Sequence, residues 1–194
     1  MEVKDAILKR RSISSYIDKK VSLRIIGDII NIARYAPNAG NLQNWNIIVV
    51  QDEDRKREIA IACLKQMWIA QASIVLVLAN KTTEIKRYYG ERGLLYGTQN
   101  LAALAQNILL LATDKGLSTC WIGAFDKEAV ARIVKAPEDE IPEIVITIGY
   151  SRDKPTRTTR YSANEICCHE ECGRREINYP HSMVAKPLFK RKKY

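Results

Sequence analysis

Apolar residues recur along this chain at two periods, and the alternation between them lays out an α+β order of elements. Leu23, Ile26, Ile30 and Ala33 are spaced by three, four and three with Ser22 placed as a cap, so residues 22–35 are predicted to be helical. Residues 2–11 read as a shorter helix with Val3, Ala6 and Ile7 on one face, and Pro37 stops the helix before it. The runs 46–50, 73–79 and 144–149 read as strands, and 73–79 is apolar on both faces, which suits a strand buried within a sheet. Residues 53–70 are charged but helical by pattern, with Ile59, Ala62, Cys63 and Met67 on one side. The longest helix is expected over 95–115, with Gly116 as its stop. Between 101 and 112 it is apolar almost all round, which fits a central element or half of a subunit interface. Asp126 caps a last helix running to about Val134.

Beyond Tyr150 the periodicity is lost, and the rest reads as an extended arm that must bury its apolar groups elsewhere, a partner subunit being the usual place. The organisation expected is a domain over residues 1–165 followed by a Cys-containing basic arm over 166–194, without internal repeats.

Composition adjusts this picture modestly. An apolar fraction of 46% with 27% charged residues is that of an ordinary water-soluble domain, and the twelve residues from 101 to 112 are too few to span a bilayer. Charges near the N-terminus stand where an export signal needs an apolar run. Part of the net charge of +9 comes from Arg174, Arg175, Lys186 and Lys190-Arg191-Lys192-Lys193, which read as a solvated tail. The remaining cations are dispersed and match no nucleic-acid module, so attraction of phosphorylated small molecules is the simpler use. Five cysteines, an odd number, argue for a reducing cytoplasmic setting.

Candidate chemistry collects in four places. The loop Ala36-Pro37-Asn38-Ala39-Gly40-Asn41-Leu42-Gln43-Asn44-Trp45 offers carboxamides and a glycine to a planar polar ligand, or is a solvated connector. Arg10-Arg11-Ser12-Ile13-Ser14 sets two guanidinium groups and two hydroxyls where they suit a phosphate, although arginines also favour a helix C-terminus. Trp121-Ile122-Gly123-Ala124 reads as an apolar turn whose N–H groups face a ring heteroatom, or as a plain buried turn. Residues 81–93 form either a mobile, substrate-facing segment in which Tyr88 or Tyr89 stacks on an aromatic acceptor, or a solvated loop over packed tyrosines. Separately, Cys167, Cys168, His169 and Cys172 are candidate metal ligands, but adjacent positions lack the usual spacer, and no metal is expected.

These motifs, in this order and with Ile148-Gly149-Tyr150 and the basic segment after it, resemble the nitroreductase family of FMN-dependent oxidoreductases over residues 1–165. The resemblance implies a mostly antiparallel central sheet flanked by helices, and a homodimer that exchanges its C-terminal arms and holds FMN at the subunit interface. It implies that Arg10, Arg11, Ser12, Ser14 and Arg160 hold the FMN phosphate and ribityl chain. Ile122, Gly123 and Ala124 would approach the ring, and Pro37, Asn38, Ala39, Asn41 and Gln43 would line it from the other subunit. The activity implied is ping-pong transfer of hydride from NADH or NADPH to nitroaromatic, quinone or similar acceptors, with no catalytic acid, base or nucleophile. A specialised flavin enzyme of the same fold (dehalogenation or flavin fragmentation) and a flavin- or metal-responsive binding module stay open as alternatives. Asn44 stands where the family usually has proline, a change expected to loosen the loop, and Ser14 stands where a basic residue is common.

Overall fold

Two apolar periods along the strands decide the layering. In the computed structural model, which describes residues 1–175, four strands form one antiparallel sheet: β1 (Trp45–Val50), β2 (Ile74–Lys81), β3 (Ser118–Ile122) and β4 (Glu140–Gly149), in the order β1-β2-β4-β3. Successive side chains of a strand point to opposite faces. Ile74, Leu76 and Leu78 of β2 and Ile144, Ile146 and Ile148 of β4 therefore join one core cluster, while Val75, Val77 and Val145 join another. The first cluster is completed by α2 (Leu23–Ala33) and α5 (Arg92–Asp114), the second by α3 (Glu53–Ala62) and α6 (Lys127–Val134). Helices thus cover both faces of the sheet, and burial of each large aliphatic side chain contributes roughly 1.5–3 kcal/mol. Two shorter helices, α1 (Val3–Lys9) and α4 (Thr82–Tyr89), pack against α5. As expected of a strand apolar on both faces, β2 is buried at every position from Ile74 to Asn80.

Ser22 and Asp126 cap their helices as the sequence predicts, and Asp52 caps a third. Ser22 Oγ accepts from Ile25 N–H at the start of α2, Asp52 from Arg55 N–H at α3, and Asp126 from Ala129 N–H at α6. Gly116, at φ +71°, follows the end of α5. Of the two roles open to that helix, α5 takes the central one: it contacts all four strands and lays Leu101, Leu104, Ala105, Ile108, Leu109 and Ala112 into the first cluster.

Four expectations are corrected. The helix predicted over 53–70 ends at Ala62, because Leu64 and Lys65 both take the left-handed conformation (φ 58° and 59°) before a short 3-10 helix, Met67–Gln71. Residues 81–93 are no loop: 82–89 form α4, amphipathic with Thr82 and Ile85 buried. A fourth strand, β3, precedes the turn at Gly123. The strand at 144–149 also begins earlier, at Glu140, and runs through Pro142. A register shift at Leu78/Ala79 lies opposite that proline, which has no N–H for the ladder.

Contacts divide the chain after Lys154. In the second unit the described residues are mostly irregular, apart from one helical turn, α7 (Ala163–Ile166), opened by a reciprocal capping box between Ser162 and Glu165. The basic residues Lys186 and Lys190-Arg191-Lys192-Lys193 lie outside the described residues. Among the described residues, no helix is long and apolar enough to cross a membrane.

Candidate functional site

The first helix ends at Lys9, and Arg10 turns the backbone out of the helical region (φ −53°, ψ 132°) into an extended segment. That segment runs beside β3: Ser12 pairs in parallel with Thr119, and Ile13 N–H donates to Thr119 O at 2.9 Å. Ile13 is buried, so the alternating Ser12 and Ser14 are turned outward and exposed. Tyr16 fixes the far end of the segment. Its hydroxyl donates to Ile13 O (2.8 Å) and shares a second hydrogen bond with the Thr147 hydroxyl (2.6 Å), and its ring lies over Gly149, where any Cβ would stand 2.6 Å from the ring. Burial pushes the Tyr16 hydroxyl well above the usual tyrosine range, so it stays protonated.

The Arg11 side chain is committed locally but incompletely. Arg11 Nη1 donates to Leu8 O (2.8 Å) and Arg10 O (2.7 Å) at the C-terminal end of α1. Its Nε is buried and has no partner. A buried guanidinium N–H without an acceptor is costly, and an anion beside it would remove that cost. Arg10 is half-buried, and its charge is felt at Cys120 of β3, whose thiol also bonds with Ser12. Burial raises the Cys120 thiol above its ordinary range, and Ser12 and Arg10 act in the opposite sense. Two residues on, the chain leaves the sheet at Gly123-Ala124. Both are exposed, and a Cβ on Gly123 would meet only Trp121 Nε1, at 3.7 Å. Ile122 turns its side chain into the second core cluster, so only its backbone can meet a ligand.

The loop before β1 is more constrained than its composition suggests. Gly40, Asn41 and Gln43 have φ of 60°, 54° and 49°, a conformation that L side chains adopt at a cost. It is held by side-chain hydrogen bonds: Asn38 Oδ1 accepts from Gln43 N–H (2.9 Å), and Asn38 Nδ2 donates to Ala36 O (3.2 Å). Ala39 N–H donates to Asn100 Oδ1 (3.0 Å), Asn100 Nδ2 to Asn44 Oδ1 (2.6 Å), and Asn44 Nδ2 to Asn80 Oδ1 (2.7 Å). Asn44, Asn80 and Asn100 are all buried. Rather than loosening the loop, Asn44 is the middle link of a carboxamide relay that ties it to α5 and β2. Pro37, Asn41 and Gln43 are left exposed at its surface, with Asn38 and Ala39 half-buried.

Tyr89 comes to this loop as well. Its hydroxyl would stand 2.8 Å from a Cβ on Gly40, and its ring meets Tyr96 edge-on at 5.1 Å. Tyr88 is exposed.

The strand order separates these two groups within one chain. The loop enters β1 and Ser12 pairs with β3, the two edges of the sheet, three interstrand spacings or ~14 Å apart. Arg160 belongs to the second unit, where its guanidinium donates to Thr158 Oγ1 and Thr159 O. An open, largely apolar groove of about 730 Å³ lies between α3 and α6, and none of its lining residues is among those predicted to hold a ligand. Among the described residues, no group of three or more His, Cys, Asp or Glu is placed to hold a metal ion.

The nitroreductase family model matches residues 7–81 and 64–150, which include both the Arg-Ser segment and the loop. The chain belongs to the nitroreductase family. An Archaeoglobus fulgidus protein provisionally named NADH dehydrogenase/NAD(P)H nitroreductase is 30% identical over 152 residues, covering 76% of this chain and 84% of its own. A Bacillus subtilis FMN reductase [NAD(P)H] is 26% identical over 184 residues, covering 88% and 74%. The crystallised NADPH:FMN oxidoreductase of Vibrio harveyi, complexed with NAD+, shares the fold at a TM-score of 0.80 with 22% identity, over 91% of this chain and 79% of that one. For a nitroreductase-family chain, the residues that pattern alone did not reveal are Tyr16, Asn80 and Asn100. The one available signal was Asn100, four and eight residues before Leu104 and Ile108 on the apolar stripe of α5.

Proposed function

We propose that the protein is an FMN-dependent oxidoreductase that passes hydride from NADH or NADPH, in ping-pong order, to a nitroaromatic, quinone or related small acceptor. FMN, when bound, supplies the redox chemistry. What carries this reading is the pairing of Ser12 with β3 and the reach of the Arg10 charge to Cys120, just before the open Gly123-Ala124 turn, with the buried Nε of the adjacent Arg11 lacking an acceptor. In this reading Arg10, Arg11, Ser12 and Ser14, with Arg160, bind the phosphate and ribityl chain. Backbone groups of Ile122, Gly123 and Ala124 orient the ring.

Pro37, Asn38, Ala39, Asn41 and Gln43 line the ring from the second subunit of a homodimer. Support comes from the sheet order, which keeps the loop and the Arg-Ser segment of one chain on opposite edges. Tyr89, beside Gly40, then borders the acceptor's position. No side chain is assigned as acid, base or nucleophile. All five cysteines are free thiols, which suits the cytoplasm.

The test is the absorbance spectrum of the purified protein, first as isolated or with added FMN, then anaerobically with NADH or NADPH. A flavin spectrum that bleaches with nicotinamide and returns on addition of a nitroaromatic or quinone supports the proposal. A protein that binds no FMN overturns it.

A further inference from the structure

Three cysteines of the second unit are unused by the proposed flavin chemistry, and two of them are brought together by a tight turn. His169 N–H donates to Arg174 O (2.8 Å), Glu171 N–H to His169 O (2.7 Å) and Arg174 N–H to Glu171 O (3.2 Å). Glu170 (φ 61°) and Gly173 (φ 94°) take the left-handed conformations that close the turn. As a result the Cys172 thiol becomes a hydrogen-bond neighbour of the Cys168 thiol, and both are exposed. Cys168 Sγ also accepts from Gly173 N–H at 3.2 Å and is bonded by the Arg175 side chain.

These partners favour the thiolate, so the Cys168 thiol is held below the ordinary range, the Gly173 N–H being the largest cause. Cys167 differs: it is half-buried, and its N–H is the C-cap of α7, donating to Ala163 O at 2.9 Å. A bridge between the adjacent Cys167 and Cys168 would be strained.

We propose that Cys168 and Cys172 form a redox-active dithiol, with Cys168 as the attacking sulfur and Cys172 as the resolving one, whose oxidant is a low-molecular-weight disulfide. The Cys168 thiolate attacks one sulfur of that disulfide. Its S–S bond breaks, one half leaves as a thiolate, and Cys168 carries the other half as a mixed disulfide. Cys172 then gives its proton to solvent and attacks Cys168 Sγ, expelling the second half as a thiolate that takes up a proton. The two protein thiols lose two electrons in all, and the small disulfide gains them. This exposed pair is separate from the two more protected thiols, Cys63, which is buried in the second core cluster, and Cys120 on β3.

The test equilibrates the full chain with reduced and oxidised glutathione, blocks remaining thiols and maps the tryptic peptide Tyr161 to Arg174. The expected product is that peptide two hydrogens lighter with Cys168 joined to Cys172, while Cys63 and Cys120 remain thiols. Cys172→Ser should trap glutathione on Cys168, and Cys168→Ser should trap none. With iodoacetamide at pH 7, Cys168 should be alkylated about three-fold or more faster than Cys172. A Cys167-containing bridge, glutathione spread equally over all three cysteines, a peptide that stays fully reduced at every ratio, or a metal held by these thiols would each overturn the proposal.

Discussion

Replacing Asn100 with alanine tests whether the buried carboxamide relay holds the loop before β1, the one proposed to face the ligand. Asn100 is 5% exposed and makes two of the relay's hydrogen bonds, accepting from Ala39 N–H at 3.0 Å and donating to Asn44 Oδ1 at 2.6 Å. Alanine leaves the Ala39 N–H and the Asn44 carbonyl without partners, and each costs about 1–3 kcal/mol. The sum, ~2–6 kcal/mol, is a large share of the 5–15 kcal/mol that typically holds a domain folded. For a chain of this size it corresponds to a fall in Tm of roughly 4–24 °C. Thermal unfolding without FMN, at one fixed protein concentration because the Tm of the proposed dimer would depend on it, reads that term alone. FMN titration of the folded variant reads the second consequence, weaker binding, since the left-handed residues of the loop lose their anchor to α5. Combining Asn100→Ala with Asn44→Ala should give less than the sum of the two losses, because both act on one bond. A variant melting within about 1 °C of wild type would refute the reasoning.

Further predictions follow from single contacts. Gly97→Ala would place a Cβ 2.4 Å from both Asn80 amide atoms, so despite a helix-propensity gain of about 1 kcal/mol it should lower the urea midpoint. Arg11→Ala should weaken FMN binding by roughly 1.5–3 kcal/mol while changing affinity for riboflavin, which lacks the phosphate, far less; equal losses for both ligands in fluorescence titrations would count against the phosphate assignment. Cys63 is fully buried, and burial raises its thiol from 9.0 to about 11. Its folded-state value lies above the unfolded one, so its contribution is complete below pH 9 and is lost as pH rises towards 11. Denaturation at pH 8 and pH 10.5 should show wild type losing about 1–2 kcal/mol more than Cys63→Ala, a comparison that removes the parallel effect of Tyr16.

Much of the fold was legible because its signals are local. The spacing of Leu23, Ile26, Ile30 and Ala33, the caps Ser22 and Asp126, and the two-faced apolarity of β2 each fix an element without help from the rest of the chain. What was missed depends on partners distant in sequence. Nothing near Leu64 and Lys65 announces a left-handed pair, since neither is Gly or Asn. Residues 118–122 become a strand because β4 and Ser12 offer ladders on either side. Around the candidate site, the sequence singled out Arg10, Ser12 and the loop but took Asn44 for a weakness. A carboxamide reads as polar and exposed until the two others that satisfy it, Asn80 and Asn100, are seen folded against it. Residues 81–93 read as a mobile segment or a solvated basic loop, whereas burial of Thr82 and Ile85 on one face accompanies a helix, α4.

The bridge between Ser12 and Thr119 has a consequence for solubility. The third strand ends the sheet, and an uncovered edge strand is a template on which another chain can add. The segment closing that edge is the one whose arginines and serines face the proposed phosphate, and it is held by Ile13 and Tyr16 at only a few points. Occupancy of the phosphate position would therefore also hold the sheet's edge shut. Ligand-depleted protein, or protein trimmed through its first fourteen residues, should be the form that aggregates.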